Sequence, residues 1–320
     1  MIGRLVRSLR RRYHKSGVPG GLPPTRDFSL GVPFAYDPAL QTAPRVAAMI
    51  HMFHPDLAPE FASLLSHLPR NAAALITTDT QDKRHAILAA FSAWETGSVE
   101  VRLVPNRGRD MAPKLCAFGD RYAEFDLVLF LHSKKTDHSP EAAGWRDLLL
   151  SSLCGSDRVI ASIMALFEAD PALGLVFAQH HEPVRAYTGW EYNFAAASKL
   201  ARHMGVELRR GGMIEFPSGS MFWARPAALA PILALGLTPE DFPAEAGQKD
   251  ATLAHAIERL FALVAELAGF GWCKVAAPAC YANREAIVIP RSAAELRAFL
   301  DRPRLRLRET MVESRIAGPR

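Results

Sequence analysis

A chain of 320 residues, 49% of them hydrophobic, is long enough to bury a full core, as one large α/β domain with appendages or as two small domains. The longest apolar segment, Leu253 to Phe270, is broken by His255, Glu258, Arg259 and Glu266, which excludes a membrane-spanning reading. Four scattered cysteines with no CxxC pair exclude a disulfide framework and fit a reducing, cytoplasmic compartment, while the net charge of +5 is uneven: residues 1–26 carry seven Arg or Lys and no acid appears before Asp27.

The N-terminus, MIGRLVRSLRRRYHKSG, sets Ile2, Leu5, Val6 and Leu9 at helical spacing among arginines. This describes a basic amphipathic arm suited to an anionic membrane surface; the alternative is a solvated arm that touches nucleic acid only non-specifically. It lacks the apolar core and cleavage site of a secretory signal. Residues 17–44 hold Pro19, Gly20, Gly21, Pro23, Pro24, Pro33, Pro38 and Pro44, a density that predicts a linker, so the domain is expected to start near Arg45.

From there RVAAMIHMF predicts a buried strand, followed by a helix over Leu57 to Leu68, a strand in AALITTDT and a helix over Gln81 to Trp94. The alternation continues with VEVRLVP, a helix from Ala112 to Tyr122, and the strand DLVLFLH. Such spacing predicts βαβ units: a mostly parallel central sheet with helices on both faces. Ligands of these sheets sit outside the carboxyl ends of the strands, which here carry His51 to His54, Thr77 to Thr80, Pro105 to Asp110 and His132 to Lys135. Further on, the pattern predicts helices over Trp145 to Cys154 and Asp157 to Ala169, the strand LGLVFAQ, and a helix over Glu191 to Met204. Then come strand, turn, strand and helix in IEFPSGSMFWARPAALAPILAL, a long helix from Lys249 to Ala268, the strand WCKVAAP and a basic terminal helix.

Three motifs bear charge at these ends. In PNRGRDMAP, Gly108 permits a tight turn, Asp110 can cap the next helix, and Arg107 with Arg109 suits the helix start to an anion; a capped helix with solvated arginines is the alternative. His132, Ser133, Lys134 and Lys135 make a donor-rich clamp for a diphosphate, or a solvated basic loop. In EAGQKDATLAHAIERL, Glu245, Asp250 and Glu258 supply general-base candidates beside His255 and Arg259; the alternative is an N-cap at Asp250 with separate surface charges. Neither HMFHPD nor HHE has established ligand spacing, so no metal site is expected there, and Ser218-Gly219-Ser220 is no serine-hydrolase elbow.

Taken in order, HMFHPDL, ITTDT, VPNRGRDMAP, LFLHSKK, GSDRVI, GSMFWARPAAL and GQKDATLAHAIERL resemble the rhamnan synthesis protein F family of bacterial surface-polysaccharide biosynthesis, over roughly Arg45 to Pro278. The resemblance implies a GT-A-like glycosyltransferase working from a nucleotide-sugar donor on rhamnan, O-antigen or related glycans. Its nucleotide-binding half would be residues 45–139, its acceptor-binding half 140–280, and residues 281–320 a basic C-terminal helical extension. By the same resemblance His51, Thr77, Thr78 and Asp79 would line the base and ribose, and Asn106 to Asp110 would form the turn after the third strand. Gly219, Ser220, Met221 and Trp223 would face donor sugar and acceptor, with His255, Glu258 and Arg259 nearby. Asp250, or failing it Glu245, would be the base. Where most GT-A enzymes carry Asp-x-Asp to hold a divalent cation, this chain has His132-Ser133-Lys134-Lys135, so metal need not be obligatory. The implied partners are a nucleotide sugar, a glycan or lipid-linked glycan acceptor and the anionic inner face of the cytoplasmic membrane, with no specific nucleic acid. A non-catalytic scaffold or carbohydrate-binding protein of a polysaccharide assembly complex is the rival.

Overall fold

The computed structural model describes residues 27–133, 143–245, 250–303 and 306–316. The amphipathic arm, Lys134 and Lys135 lie outside the described residues. The strands are β1 (Ser29–Gly31), β2 (Val46–His51), β3 (Ala72–Thr78), β4 (Gly97–Leu103), β5 (Leu127–His132), β6 (Leu173–Ala178), β7 (Val206–Leu208), β8 (Phe222–Ala224), β9 (Gly271–Ala276), β10 (Ile287–Val288) and β11 (Val312–Arg315). Among the described residues nine of them form one sheet in the order β10-β1-β9-β6-β8-β5-β2-β3-β4, and β7 pairs separately with β11. Every neighbouring pair in the large sheet is parallel except those of β8, which runs antiparallel to both β5 and β6.

Strand side chains alternate between faces, and both faces are covered, so the central strands read as unbroken apolar runs. Val46, Ala48 and Ile50 of β2 and Leu127, Leu129 and Leu131 of β5 enter one core, packed by the helices Ala58–Leu65, Gln81–Ala90, Trp145–Leu153 and Asp157–Ala169. Ala47, Met49, Val128 and Phe130 enter the other, under Met111–Cys116, Phe194–His203, Leu253–Glu258 and Phe261–Leu267. Each fully buried Leu, Ile or Phe contributes roughly 1.5–3 kcal/mol. Among the described residues no single helix is long and apolar enough to cross a membrane.

Three expectations change. Residues 29–31, inside the stretch read as linker, form β1, wholly buried between β9 and β10. The C-terminal segment is no separate helical appendage: Leu307 and Met311 are buried in the second core and β11 pairs with β7. The long helix expected from Lys249 is two short ones, Leu253–Glu258 and Phe261–Leu267. At the break Arg259 folds inward, its Nε donating to the Gly189 carbonyl and its Nη1 to the His255 carbonyl.

Candidate active site

From β2 the chain steps outward to β3 and β4, then returns to pair β5 on the other side of β2. The carboxyl ends of β2 and β5, with His51 directly opposite His132, therefore bound the crevice where a doubly wound sheet binds its ligand. A cavity of about 560 Å³ opens there, lined from the two strands by His51, Phe53, His132 and Ser133. The turn after β4 adds Asn106, Arg109 and Asp110, and Glu245, His255 and Glu258 complete the polar lining.

The turn after β4 owes its shape to a left-handed pair, Gly108 at φ 66° and Arg109 at φ 54°. A Cβ on Gly108 would lie 2.5 Å from Cδ1 of Phe242, so glycine answers both to conformation and to close approach. Arg107 turns away from the cavity, its Nε donating to the Phe242 carbonyl at 2.9 Å. The Arg109 amide donates to Oε1 of Glu245 at 3.0 Å, and its guanidinium is 3.7 Å from the same carboxylate.

The cavity floor is the turn 218–220, stitched down from four sides. Gly219, at φ 84°, donates its amide to Oε1 of Glu258 at 2.8 Å and accepts at its carbonyl from Nε2 of His132 at 2.8 Å, which fixes the proton on that ring nitrogen. The Ser220 hydroxyl donates to Oδ2 of Asp110, and the Ser220 carbonyl accepts from Nζ of Lys114 at 2.7 Å. Lys114 is wholly buried; its ammonium pairs with Asp110 at 3.1 Å and lies 5.0 Å from the Phe222 ring centroid. Burial pushes the Lys114 ammonium down from its ordinary value, against the opposing pull of Asp110. Burial alone would raise Asp110, but Lys114, His132 and the Ser220 hydroxyl outweigh it and hold the carboxyl well below the usual range. His51 is pushed down to about 4 by burial, and its Nδ1 shares a hydrogen bond with Thr77 Oγ1 at 3.0 Å.

A family model for rhamnan synthesis protein F matches residues 35–269, well over half of the chain. The chain belongs to the rhamnan synthesis protein F family. The uncharacterized protein WxcX, from two strains of Xanthomonas campestris pv. campestris, is 33% identical over 237 residues, which cover 71% of this chain and 32% of that protein. The chain thus corresponds to less than half the length of these curated relatives.

In this chain the predicted residues divide by position. Besides those named above, Gly219 and Ser220 line the cavity. Thr77 stands behind His51, Thr78 is buried, and Asp79 acts one step away: it holds Lys83 at 2.6 Å, and the Lys83 ammonium sits 3.7 Å from the Phe53 ring centroid. Met221 and Trp223 are core residues, the latter donating Nε1–H to the Leu153 carbonyl. Asp250 and Arg259 line a second, adjoining cavity. From the sequence, Phe53 and Trp145 receive no role and His54 is weighed only at a strand end and as a rejected metal ligand, yet all three line the first cavity; the signal for Phe53 is an aromatic just past a strand end, in HMFH.

Proposed function

We propose that the chain is a glycosyltransferase of GT-A-like fold, moving a deoxyhexose such as rhamnose from a nucleotide sugar to a cell-envelope or lipid-linked glycan. The observation that carries the reading is the cavity at the switch point between β2 and β5, with a volume in the range of small-ligand sites and a glycine-arginine turn at its rim. Membership of a rhamnan synthesis family supports a role in polysaccharide synthesis.

In this reading Phe53 offers an aromatic face to the nucleoside, and Arg109, Lys134 and Lys135 meet the diphosphate. The acceptor hydroxyl loses its proton to Asp250 as its oxygen forms the new bond to the sugar's anomeric carbon, and the bond from that carbon to the diphosphate breaks. The departing nucleoside diphosphate takes the electron pair, its charge met by the arginine and lysines. Because Lys134 and Lys135 follow β5 in the sequence where most GT-A enzymes carry an acidic pair, a divalent cation is not obligatory in this reading, and the lysines neutralise the diphosphate charge directly. The basic arm holds the protein to the cytoplasmic face of the membrane.

A second reading, a non-catalytic scaffold, is favoured by the committed side chains at the end of β5, where His132 and Ser133 both bond to the protein itself. Incubating the purified chain with a panel of nucleotide sugars and a neutral saccharide separates the two. Release of nucleoside diphosphate that depends on the saccharide supports the transferase; neither transfer nor hydrolysis across the panel rejects it.

A further inference from the structure

Beside the first cavity lies a second of about 390 Å³, and the two share Trp145, Gly219, His255 and Glu258 as a common wall. Its own lining adds Tyr187, Glu191, Tyr192 and Asp250, from the turn Glu182–Tyr187, the loop before the helix Phe194–His203, and the loop before Leu253–Glu258.

The rim is aromatic and open. Tyr192 is 82% exposed and Tyr187 53%, so two large rings stand in water instead of in the core. The backbone is also held in a rarely populated region around both cavities. Among the described residues five non-glycine positions have φ in the left-handed region; Arg109 and Ser220 line the first cavity, Glu191 lines the second, and Ala251 adjoins Asp250. Only Asn71 lies elsewhere. Strain of this kind persists where the surroundings over-determine it, and it gathers at ligand sites.

The described lining of the second cavity carries more negative than positive charge. Oδ1 of Asp250 is fixed by Nδ2 of Asn193 at 2.8 Å, and Glu191 and Glu258 stand nearby. Arg259, the one cation among the described lining residues, donates to the Gly189 and His255 carbonyls and stands 4.0 Å from the Glu258 carboxylate, so the carboxylates of Asp250, Glu191 and Glu258 outnumber it. The cavity thus presents carboxylate oxygens, which accept hydrogen bonds from hydroxyls, and aromatic faces, which pack against C–H groups. It would repel an anion.

We propose that this cavity is a saccharide subsite for an uncharged sugar, with a pyranose face against Tyr187 and Tyr192 and its hydroxyls donated to Asp250 and Glu191. It rests on the transferase reading only in naming the bound sugar as the acceptor.

The test titrates the full chain with the methyl glycoside of a neutral rhamnose disaccharide and with a disaccharide that carries a uronic acid, by calorimetry and saturation-transfer NMR. The neutral sugar binds, and Tyr192→Ala weakens it roughly fivefold or more while Tyr192→Phe retains it. The high exposure of Tyr192 leaves the unfolding temperature of both variants unchanged. No binding of the neutral sugar, equal affinity in Tyr192→Ala, or preference for the uronic acid overturns the proposal. A parallel titration with nucleotide sugars keeps the two ideas apart. Donor binding without saccharide binding defeats the subsite and spares the transferase; tyrosine-dependent saccharide binding with no donor binding or transfer does the reverse.

Discussion

Lys114 and Asp110, one helical turn apart, form an ion pair at 3.1 Å in which the lysine side chain is 0% exposed and the carboxylate also accepts from Ser220. The pair joins the turn after β4 to the cavity floor: Asp110 lines the cavity, while Lys114 positions the site from behind without lining it. Removing one partner leaves a buried charge uncompensated, and Lys114→Met is expected to destabilise the fold by about 3 kcal/mol. Urea unfolding of the two proteins at neutral pH checks this. Because the folded carboxyl of Asp110 sits below its unfolded value of about 3.9, its stabilisation is fully present above that pH and is lost as pH falls further.

His51 and His255 give a second pH dependence in a different window. Both are lowered to about 4, His51 by burial and His255 by burial with Arg109 adding to it. Between about 4 and the unfolded value of about 6.5 the unfolded chain binds protons that the native chain refuses, so stability rises with pH across that interval and levels off above it. His51→Gln removes part of that slope. Denaturant midpoints that stay flat from pH 4 to 6.5 in the wild type would contradict the assignment of neutral, buried imidazoles.

Gly108→Ala places a methyl group against Phe242 at a backbone geometry that disfavours it. A loss of about 2 kcal/mol in stability is expected, with weaker donor binding, because the same turn carries Asn106 and Arg109 into the cavity. Gly236→Ala, where a Cβ meets nothing within 4 Å, controls for conformation alone at φ 61°.

Much of this was legible in the sequence. The strands β2, β3, β5 and β6 stood out as apolar runs and β4 as an alternating segment, and the polar clusters that end β2 to β5 indicated the carboxyl-end crevice. β1 was not legible: three residues among prolines have no local signal, and their stability comes from neighbours β9 and β10, far away in the chain. The helix break at Arg259 was hidden because the apolar pattern runs on while the guanidinium turns inward to distant carbonyls. Lys114 reads as a surface lysine, because an i, i+4 spacing from Asp110 is equally that of a solvated helix pair, and its burial comes from contacts with Ser220 and Phe222, distant in the chain. The buried pairing of Lys274 with Asp27 and with Glu215 at 2.7 Å joins segments that no local window spans.

The carboxylates are expected to separate by role. Asp250→Asn should abolish transfer while leaving nucleotide-sugar binding measurable, because Asp250 lines the second cavity and not the first. Glu245→Gln should instead change donor affinity, since Glu245 holds the Arg109 amide. Initial rates and donor titrations of both variants check this; full activity in Asp250→Asn would remove it as the base.

For the N-terminal arm, binding to vesicles that contain anionic lipid is expected, with loss on deleting residues 1–16. Equal binding to neutral vesicles would contradict an electrostatic attachment.

The most direct test of the central claim is calorimetric titration of a nucleotide-sugar panel into the wild type and into Arg109→Ala, each with and without a chelator. The account predicts that at least one donor binds, that the chelator has no effect, and that the variant binds it roughly tenfold or more weakly. No binding across the panel, or equal affinity in Arg109→Ala, would contradict a diphosphate site in the cavity between β2 and β5.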